Sequence, residues 1–372
     1  MLEERRKPVI GITQGDYNGI GPEIILKAVL GHQLNNFCTP VIYGSTRILN
    51  KYRQLLNLKE IQLFGAQSIE QINRKQQTVV NCWIDQQVEI EPGKATAASG
   101  KAAFSALKTA VDDLKAGKID ALVTAPINKD NIQGPDFKFP GHTEYLANAF
   151  NVREALMFMV CEFLKVGVLT GHIPLSKIKS QISKDALRDK IQQMLHSLRN
   201  DFGIVKPRLA VLGLNPHAGE NGLLGNEEKE ILQPVIEEFK TRGDLVFGPF
   251  PADGFFASAS FRQFDGVLAM YHDQGLIPFK TIAFHEGVNF TAGLPVVRTS
   301  PDHGTAYDIA GKNIADPTSL LNAIYLAVDI WQVRSENKEI AKNALKSKPQ
   351  PNHPSKHTKE EKLPKDEWED LE

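Results

Sequence analysis

The feature that most constrains the fold is the alternation of short apolar segments with amphipathic segments from the start of the chain to about residue 340. The apolar segments are rich in Val, Ile and Leu, which is typical of strands buried on both faces of a sheet. They are Val9–Thr13, Val41–Tyr43, Ala121–Ala125, Val166–Thr170, Leu209–Leu214 and Val267–Tyr271. Between them, apolar residues recur at helical spacing, as from Ala102 to Leu114, where Gly117 supplies a stop. Strand and helix in repetition predict the α/β class with mostly parallel sheets.

Composition narrows the range of functions. A length of 372 residues, with 42% apolar and 23% charged side chains, is typical of a globular protein of two domains. The 43 basic and 44 acidic residues give a net charge of −1, which argues against nucleic acid or a membrane surface as partner. No apolar run is long enough to span a membrane, and 3 scattered cysteines favour a reducing compartment. We therefore expect a soluble cytoplasmic protein that acts on a small molecule.

The end of the chain differs from the rest. Residues 345–372 mix charges of both signs and contain few large apolar side chains. Such a segment cannot bury enough apolar surface to offset the entropy lost on ordering. It is predicted to be a disordered charged tail.

Three of the 10 histidines follow a strand-like segment by a few residues: His172, His217 and His272. Ligands of open α/β sheets bind beyond the carboxyl ends of the strands. One histidine in such a place is usually structural, but three imidazoles match a catalytic metal site with an open position, for zinc or another divalent ion. Asp253 is one of the nearby acidic residues that could act as a base, or it is simply a loop carboxylate.

A second group of residues indicates an anion site. His142 and Thr143 open the segment GHTEYLANAF, where a helix N-terminus can bind a phosphate, although Thr143 can equally be an ordinary N-cap. Lys280, Asn289 and Arg298 follow later in the chain. Lys and Arg can bind phosphate or carboxylate, but spacing alone favours surface or salt-bridge roles for them. The glycine motifs match neither GxGxxG nor a P-loop, and there is no GxSxG, so they predict neither a dinucleotide nor a serine hydrolase.

Eight motifs, taken in order, resemble the 4-hydroxythreonine-4-phosphate dehydrogenase family of vitamin B6 biosynthesis. They are GDYNGIGPE, TAPINK, GHTE, TGHIPL, NPHAGENGLLGNEE, PADGFF, YHDQG and HGTAYDIAGK. The resemblance covers roughly residues 7–335. The last motif is also similar to the cofactor loop of isopropylmalate and isocitrate dehydrogenases, which bind NAD without a GxGxxG sequence.

The resemblance implies a fold and a reaction. Two α/β domains of the isocitrate/isopropylmalate dehydrogenase type would flank a cleft. Residues 1–137 with 293–340 would form the NAD-binding domain, and residues 138–292 the domain for metal, substrate and dimerisation. NAD, or NADP, would oxidise 4-phosphooxy-L-threonine at C3, and the resulting β-keto acid would lose CO₂ to give 3-amino-2-oxopropyl phosphate in pyridoxal phosphate biosynthesis.

The resemblance also implies the site residues. The metal ligands would be His172, His217 and His272, with Zn, Mg, Co or Mn as the ion. The substrate contacts would be His142, Thr143, Lys280, Asn289 and Arg298, and the cofactor contacts Gly304, Asp308 and Gly311. Asp253 and Lys280 would serve catalysis, with Asp253 or a metal-bound water as base. The active site would be shared across a homodimer interface.

Two alternative functions stay open. A paralogue that oxidises 4-phospho-threonate or 4-phospho-erythronate would keep the same motifs, and a metal-dependent hydrolase would use the histidines without NAD.

The chain departs from the family motifs at two places. The family often has GDPAGIGPE, whereas this chain has Tyr17 and Asn18 in place of Pro-Ala. Gly254, Phe255 and Phe256 stand where Thr-Leu-Phe is common. Both changes affect loops beside the expected substrate.

Overall fold

A computed structural model of the chain describes residues 6–74, 76–84, 88–153 and 155–343, so the predicted tail at 345–372 lies outside the described residues. The strands are β1 Val9–Thr13, β2 Thr39–Gly44, β3 Leu63–Ala66, β4 Gln77–Asn81, β5 Ala121–Thr124, β6 Leu156–Cys161, β7 Leu164–Thr170, β8 Arg208–Leu212, β9 Leu245–Phe250, β10 Gly266–Tyr271, β11 Val288–Ala292 and β12 Val297–Pro301. The α-helices are α1 Gly21–Val29, α2 Thr46–Leu55, α3 Ala97–Lys115, α4 His142–Ala149, α5 Leu175–Gln181, α6 Lys184–Asn200, α7 Gln233–Thr241, α8 Ala252–Ala257, α9 His272–Ala283 and α10 Thr318–Asn343. Short 3₁₀ segments lie at Leu30–Asn36, Ile69–Gln71, Pro216–Gly222 and Ser260–Gln263, and a π-helical turn at Glu228–Leu232.

The strands join into one sheet of 12 in the order β3-β4-β2-β1-β5-β12-β11-β6-β7-β10-β8-β9. Most neighbours are parallel, and the antiparallel pairs β12–β11, β11–β6 and β6–β7 lie at the centre. The first half of the sheet contains β1 to β5 together with β12, and the second half contains β6 to β11. The chain passes between the halves after β5 and returns between β11 and β12.

Burial explains why these segments are strands. Every residue of β1, β2 and β5 is buried, because helices cover both faces of the sheet. Helix α3 begins with a capping box between Thr96 and Ser99, and it ends before Gly117, whose φ of +68° suits glycine. The long helix α10 packs against β12 and β5. Because most neighbouring strands are parallel, their carboxyl ends lie along the same edge of the sheet.

The predicted α/β class, with the halves of a mostly parallel sheet flanking a central cleft, is confirmed. All six predicted strands are present, and the apolar stripe from Ala102 to Leu114 lies within α3. The division into two domains at residues 137 and 293 stays a prediction. Within the described ranges, no helix is both long enough and apolar enough to cross a membrane.

Candidate active site

A cleft of about 290 Å³ opens at the centre of the sheet, at the carboxyl ends of β5 and β12. This is the edge at which α/β sheets bind their ligands. The cleft brings together six of the residues predicted from the sequence: His142, Thr143, His172, Asn289, Arg298 and Gly304. The cleft is therefore the candidate active site.

Arg298 is the central cation of the cleft. It lies in β12 with 2% of its surface exposed. Its guanidinium donates to the Thr124 hydroxyl at 2.6 and 3.2 Å and to the Thr291 hydroxyl at 2.9 Å. Among the described residues no carboxylate forms an ion pair with it, and burial lowers its pKa to about 10. In the described part of the chain Arg298 is therefore a buried charge outside any ion pair, and the salt-bridge interpretation is wrong; the charge of Glu144 only partly opposes the lowering of its pKa.

Three polar atoms in the lining are buried and have no hydrogen-bond partner in the described chain. They are His142 Nε2, His303 Nε2 and Asn289 Oδ1. Burial, helped by the charges of Arg298 and Lys129, holds the pKa of His142 well below its usual value. Burial also lowers the pKa of His303. Both imidazoles are thus neutral, and buried polar atoms without partners in a cleft are suited to bind a polar ligand.

Helix α4 begins at the rim of this cleft. Its N-cap is Gly141, which offers no side-chain cap, and His142 and Thr143 occupy the first turn. The interpretation of Thr143 as an ordinary N-cap is therefore wrong. The first N–H groups of a helix have no partners within the helix, and they make an anion site together with the positive end of the helix dipole.

Lys280 reaches the cleft margin through Asp302. Its ammonium lies 3.1 Å from Asp302 Oδ1 and donates to the Asp302 carbonyl at 3.3 Å. Asp302 lines the cleft. Burial raises the pKa of Asp302, and Lys280 acts against that change. The ion pair holds the ammonium at a defined place beside the site.

Two of the three predicted metal ligands come together. His172 follows β7 and His272 follows β10, and these strands are parallel neighbours. Their ring centres are 5.3 Å apart, close to the roughly 5 Å expected for two imidazoles bound tetrahedrally at about 2.1 Å to one ion. His272 Nδ1 lies 2.7 Å from Asp273 Oδ1, the kind of carboxylate contact that orients a metal-binding histidine. Desolvation and the charges of Lys129 and His272 lower the pKa of His172, which favours the neutral, ligating form.

His217 stays apart from this pair. It follows β8, on the other side of β10, in the 3₁₀ segment Pro216–Gly222. No group of three His, Cys, Asp or Glu side chains in the described part of the chain is placed to hold a metal ion. Asp253 is exposed at the start of α8, which contacts the His217 segment, and it does not line the cleft. One chain therefore pairs His172, which lines the cleft, with His272, and it places His217 and Asp253 elsewhere.

The predicted cofactor residues lie on the loop after β12. Gly304 lines the cleft, and a side chain added there would meet nothing within 4 Å. Asp308 is exposed. Gly311 has a φ of +74°, and a Cβ there would lie 2.9 Å from Pro92, so this glycine permits a close backbone approach.

A buried carboxylate that the sequence reasoning missed fixes this loop. Asp16 has no exposed surface, and its oxygens accept from Tyr307 OH at 2.9 Å, Ser99 Oγ at 2.9 Å and Asn131 Nδ2 at 2.6 Å. Asn18, one of the departures from the family sequence, accepts at its side chain from Glu91 N at 2.8 Å. The motif GDYNGIGPE thus holds the loop after β12 against the chain around residues 91–96.

Other lining residues were also missed. Thr124 and Lys129 belong to TAPINK, whereas Asp302 and His303 follow β12. Asp302 and His303 directly follow β12. The expectation that ligands bind at strand ends would have identified them only if β12 had been predicted as a strand.

Comparison with known proteins identifies the family of the chain. The family described as pyridoxal phosphate biosynthetic protein PdxA matches residues 36–327. The 4-hydroxythreonine-4-phosphate dehydrogenase of Bacteroides thetaiotaomicron is 46% identical over 92% of this chain and 94% of its own length. The D-threonate 4-phosphate dehydrogenase of Cupriavidus necator is 44% identical over 85% of this chain and 95% of its own. The crystal structure of 4-hydroxythreonine-4-phosphate dehydrogenase from Klebsiella pneumoniae matches with a TM-score of 0.77 and 36% identity, over 89% of this chain and all of that one (100%). The chain belongs to the PdxA family of pyridoxal phosphate biosynthetic proteins.

Proposed function

We propose that this protein oxidises 4-phosphooxy-L-threonine at C3 with NAD, or NADP, in the cytoplasmic synthesis of pyridoxal phosphate. Hydride leaves C3 for the nicotinamide, the hydroxyl proton is lost and a C3 carbonyl forms. The β-keto acid then breaks its C1–C2 bond and releases CO₂, and C2 takes up a proton from the solvent, which gives 3-amino-2-oxopropyl phosphate. The observation that carries the proposal is Arg298, a buried cation in the cleft that forms no ion pair with any described residue.

The charges of the cleft support a substrate with two anionic groups. Arg298 and the first turn of α4 offer two places for phosphate and carboxylate oxygens. Glu144 and Asp302 also line the cleft and offer negative charge for a substrate ammonium group. The unpartnered atoms of His142, His303 and Asn289 supply hydrogen bonds that orient the substrate.

A divalent metal belongs to this proposal. His172 and His272 would hold it, because their spacing fits two imidazole ligands and Asp273 supports one of them. When bound, such an ion polarises a substrate oxygen as a Lewis acid. Since His217 lies outside the pair, we propose a homodimer in which the set of three imidazoles is completed across the interface between two copies.

Catalysis is assigned to Lys280 and Asp253. Asp302 holds the Lys280 ammonium at the cleft margin, where it can donate a hydrogen bond to the C3 oxygen as charge develops there. Asp253 is the proposed base, and its place beside the His217 segment assigns it to the same shared site. Gly304 and Asp308, with the turn at Gly311, would contact the dinucleotide.

A second candidate is oxidation of 4-phospho-D-threonate, which the Cupriavidus relative favours. Initial rates of NADH formation with both substrates distinguish the two candidates. We expect kcat/KM to be higher for 4-phosphooxy-L-threonine. Turnover of the threonate alone would contradict the first candidate.

The third candidate, a metal-dependent hydrolase, requires no dinucleotide. Calorimetry with NAD in the presence of substrate and Zn²⁺ tests it. We expect NAD to bind. Metal binding without NAD binding would favour the hydrolase.

A further inference from the structure

The loop that carries His217 closes around two buried carboxylates. Glu227 and Glu228 lie at the start of the π-helical turn Glu228–Leu232, with 8% and 2% of their surface exposed. Both side chains point toward the segment 213–225, which precedes them in the chain. A buried carboxylate is unfavourable unless hydrogen bonds satisfy it, so these contacts indicate a defined role.

Asn215 makes those contacts, two residues before His217. Its backbone N–H donates to Glu228 Oε1 at 2.7 Å, and its side-chain amide donates to Glu228 Oε2 and Glu227 Oε2, each at 2.9 Å. The loop has no room to spare around them. A Cβ at Gly219 would lie 2.7 Å from Glu228 Oε2, and one at Gly225 would lie 2.5 Å from Asn215 Nδ2.

The backbone at His217 needs such support. Five successive residues, from His217 to Asn221, have positive φ values of 51°, 49°, 84°, 44° and 56°. Four of them are not glycine, and side chains disfavour this left-handed region. Backbone of this kind persists where the surrounding structure fixes it, and it is found mainly at functional sites.

Two side-chain contacts tie this loop to the other histidine segments. Lys179 of α5, the helix that follows His172, forms an ion pair with Glu227 at 2.5 Å. On the other side, Gln274 of α9 donates to the Gly213 carbonyl at 2.6 Å and accepts from Met270 N at 2.7 Å. The three segments beyond β7, β10 and β8 are thus joined by side chains outside the cleft.

We propose that Glu228 is the positioning residue of His217: its buried carboxylate fixes the left-handed loop, and thereby the direction in which the imidazole is presented. Its effect on metal binding rests on the proposed function, because His217 is there a metal ligand. Glu227 and Lys179 extend the same restraint to the His172 segment.

The test compares Glu228→Gln with Glu230→Gln. Gln at 228 turns an amide donor toward the donors of Asn215, whereas Glu230 is exposed on the same turn, which makes its variant a control for the loss of one charge. We expect amide exchange over residues 213–225 to become about tenfold faster or more in Glu228→Gln. In Glu230→Gln it stays at the wild-type rate. Asn215→Ala keeps the backbone hydrogen bond to Glu228 and should give a smaller increase in the exchange rate. It replaces Glu228→Gln as the test variant if Glu228→Gln folds poorly.

Titration with Co²⁺, followed by its visible absorption, gives the second readout. Glu228→Gln should weaken Co²⁺ binding by about 10- to 100-fold. On a His217→Ala background the same substitution should have no further effect, because Glu228 acts through His217.

The outcomes separate the two proposals. Exchange rates in Glu228→Gln equal to those in Glu230→Gln would overturn the positioning role. An equal loss of Co²⁺ affinity with and without His217 would overturn it as well. If the wild-type protein binds no Co²⁺, the proposed metal function fails, and the exchange rates still decide whether Glu228 fixes the loop.

Discussion

Replacing Arg298 by Met separates binding from stability in this cleft. Met keeps an unbranched apolar chain in the buried space and removes the charge. If Arg298 is there for the ligand, the variant loses activity and keeps its fold. If Arg298 is structural, the variant unfolds more easily.

The expected change in stability is small, because two effects oppose each other. Burial lowers the pKa of Arg298 from 12.5 to about 10, which corresponds to about 3 kcal/mol of unfavourable desolvation that Met removes. Met also removes three hydrogen bonds to Thr124 and Thr291, worth about 1 kcal/mol each. We therefore expect the unfolding free energy to change by less than about 2 kcal/mol. Because the native pKa is the lowered one, the desolvation penalty is constant at pH values well below 10 and declines only as the pH rises through that value.

The expected change in activity is large. Two charge-assisted hydrogen bonds to a substrate anion contribute about 3–6 kcal/mol together, so kcat/KM should fall by about 10²- to 10⁴-fold. Arg298→Lys keeps the charge but lacks the planar guanidinium. Its kcat/KM should therefore lie between those of the wild type and Arg298→Met.

Initial rates of NADH formation and urea unfolding measure the two quantities on the same preparations. Inorganic phosphate should raise the melting temperature of the wild type more than that of Arg298→Met, which keeps only the anion site at the first turn of α4. Two results would refute the reasoning: a loss of more than about 4 kcal/mol in unfolding free energy, or kcat/KM within a factor of about three of the wild type.

Three further predictions concern Asp16, His142 and the metal. Asp16→Asn should lower the unfolding free energy by about 2–4 kcal/mol in urea, because its amide would face the donors of Ser99, Asn131 and Tyr307; equal stability would contradict this role. Since the pKa of His142 is lowered below 6.5, the native state keeps it neutral, and stability falls as the pH drops through 6.5 and the unfolded state gains the proton. His142→Gln should therefore unfold with a weaker pH dependence in this range, and an unchanged dependence would count against the buried neutral imidazole. Chelation should abolish NADH formation until Zn²⁺ or Co²⁺ is added back. His217→Ala should lose turnover and bind the metal more weakly through the two remaining imidazoles, while its circular dichroism stays native; a metal affinity equal to that of the wild type would contradict that assignment.

Much of the fold was predictable because strands buried on both faces have an unmistakable composition. The segment Val9–Thr13 is β1 to the residue. Two of the central antiparallel strands, β11 and β12, were missed for a physical reason. Asn289 in β11 and Arg298 in β12 interrupt the apolar runs, since the cleft needs polar side chains from strands that are otherwise buried.

The site was predictable where a side chain follows directly from a strand end. His172 and His272 lie two residues and one residue beyond β7 and β10, so parallel neighbours bring them together. His217 follows β8 by five residues and begins a left-handed loop, and its direction depends on Glu228, which lies further along the chain. The burial of Arg298 likewise depends on packing between strands that are distant in sequence.

The most direct test of the central claim is the stoichiometry of the reaction with 4-phosphooxy-L-threonine and NAD. We predict that each molecule of substrate consumed gives one NADH and one CO₂, with 3-amino-2-oxopropyl phosphate identified by mass spectrometry. Release of inorganic phosphate without NADH, or NADH formation only with 4-phospho-D-threonate, would contradict it.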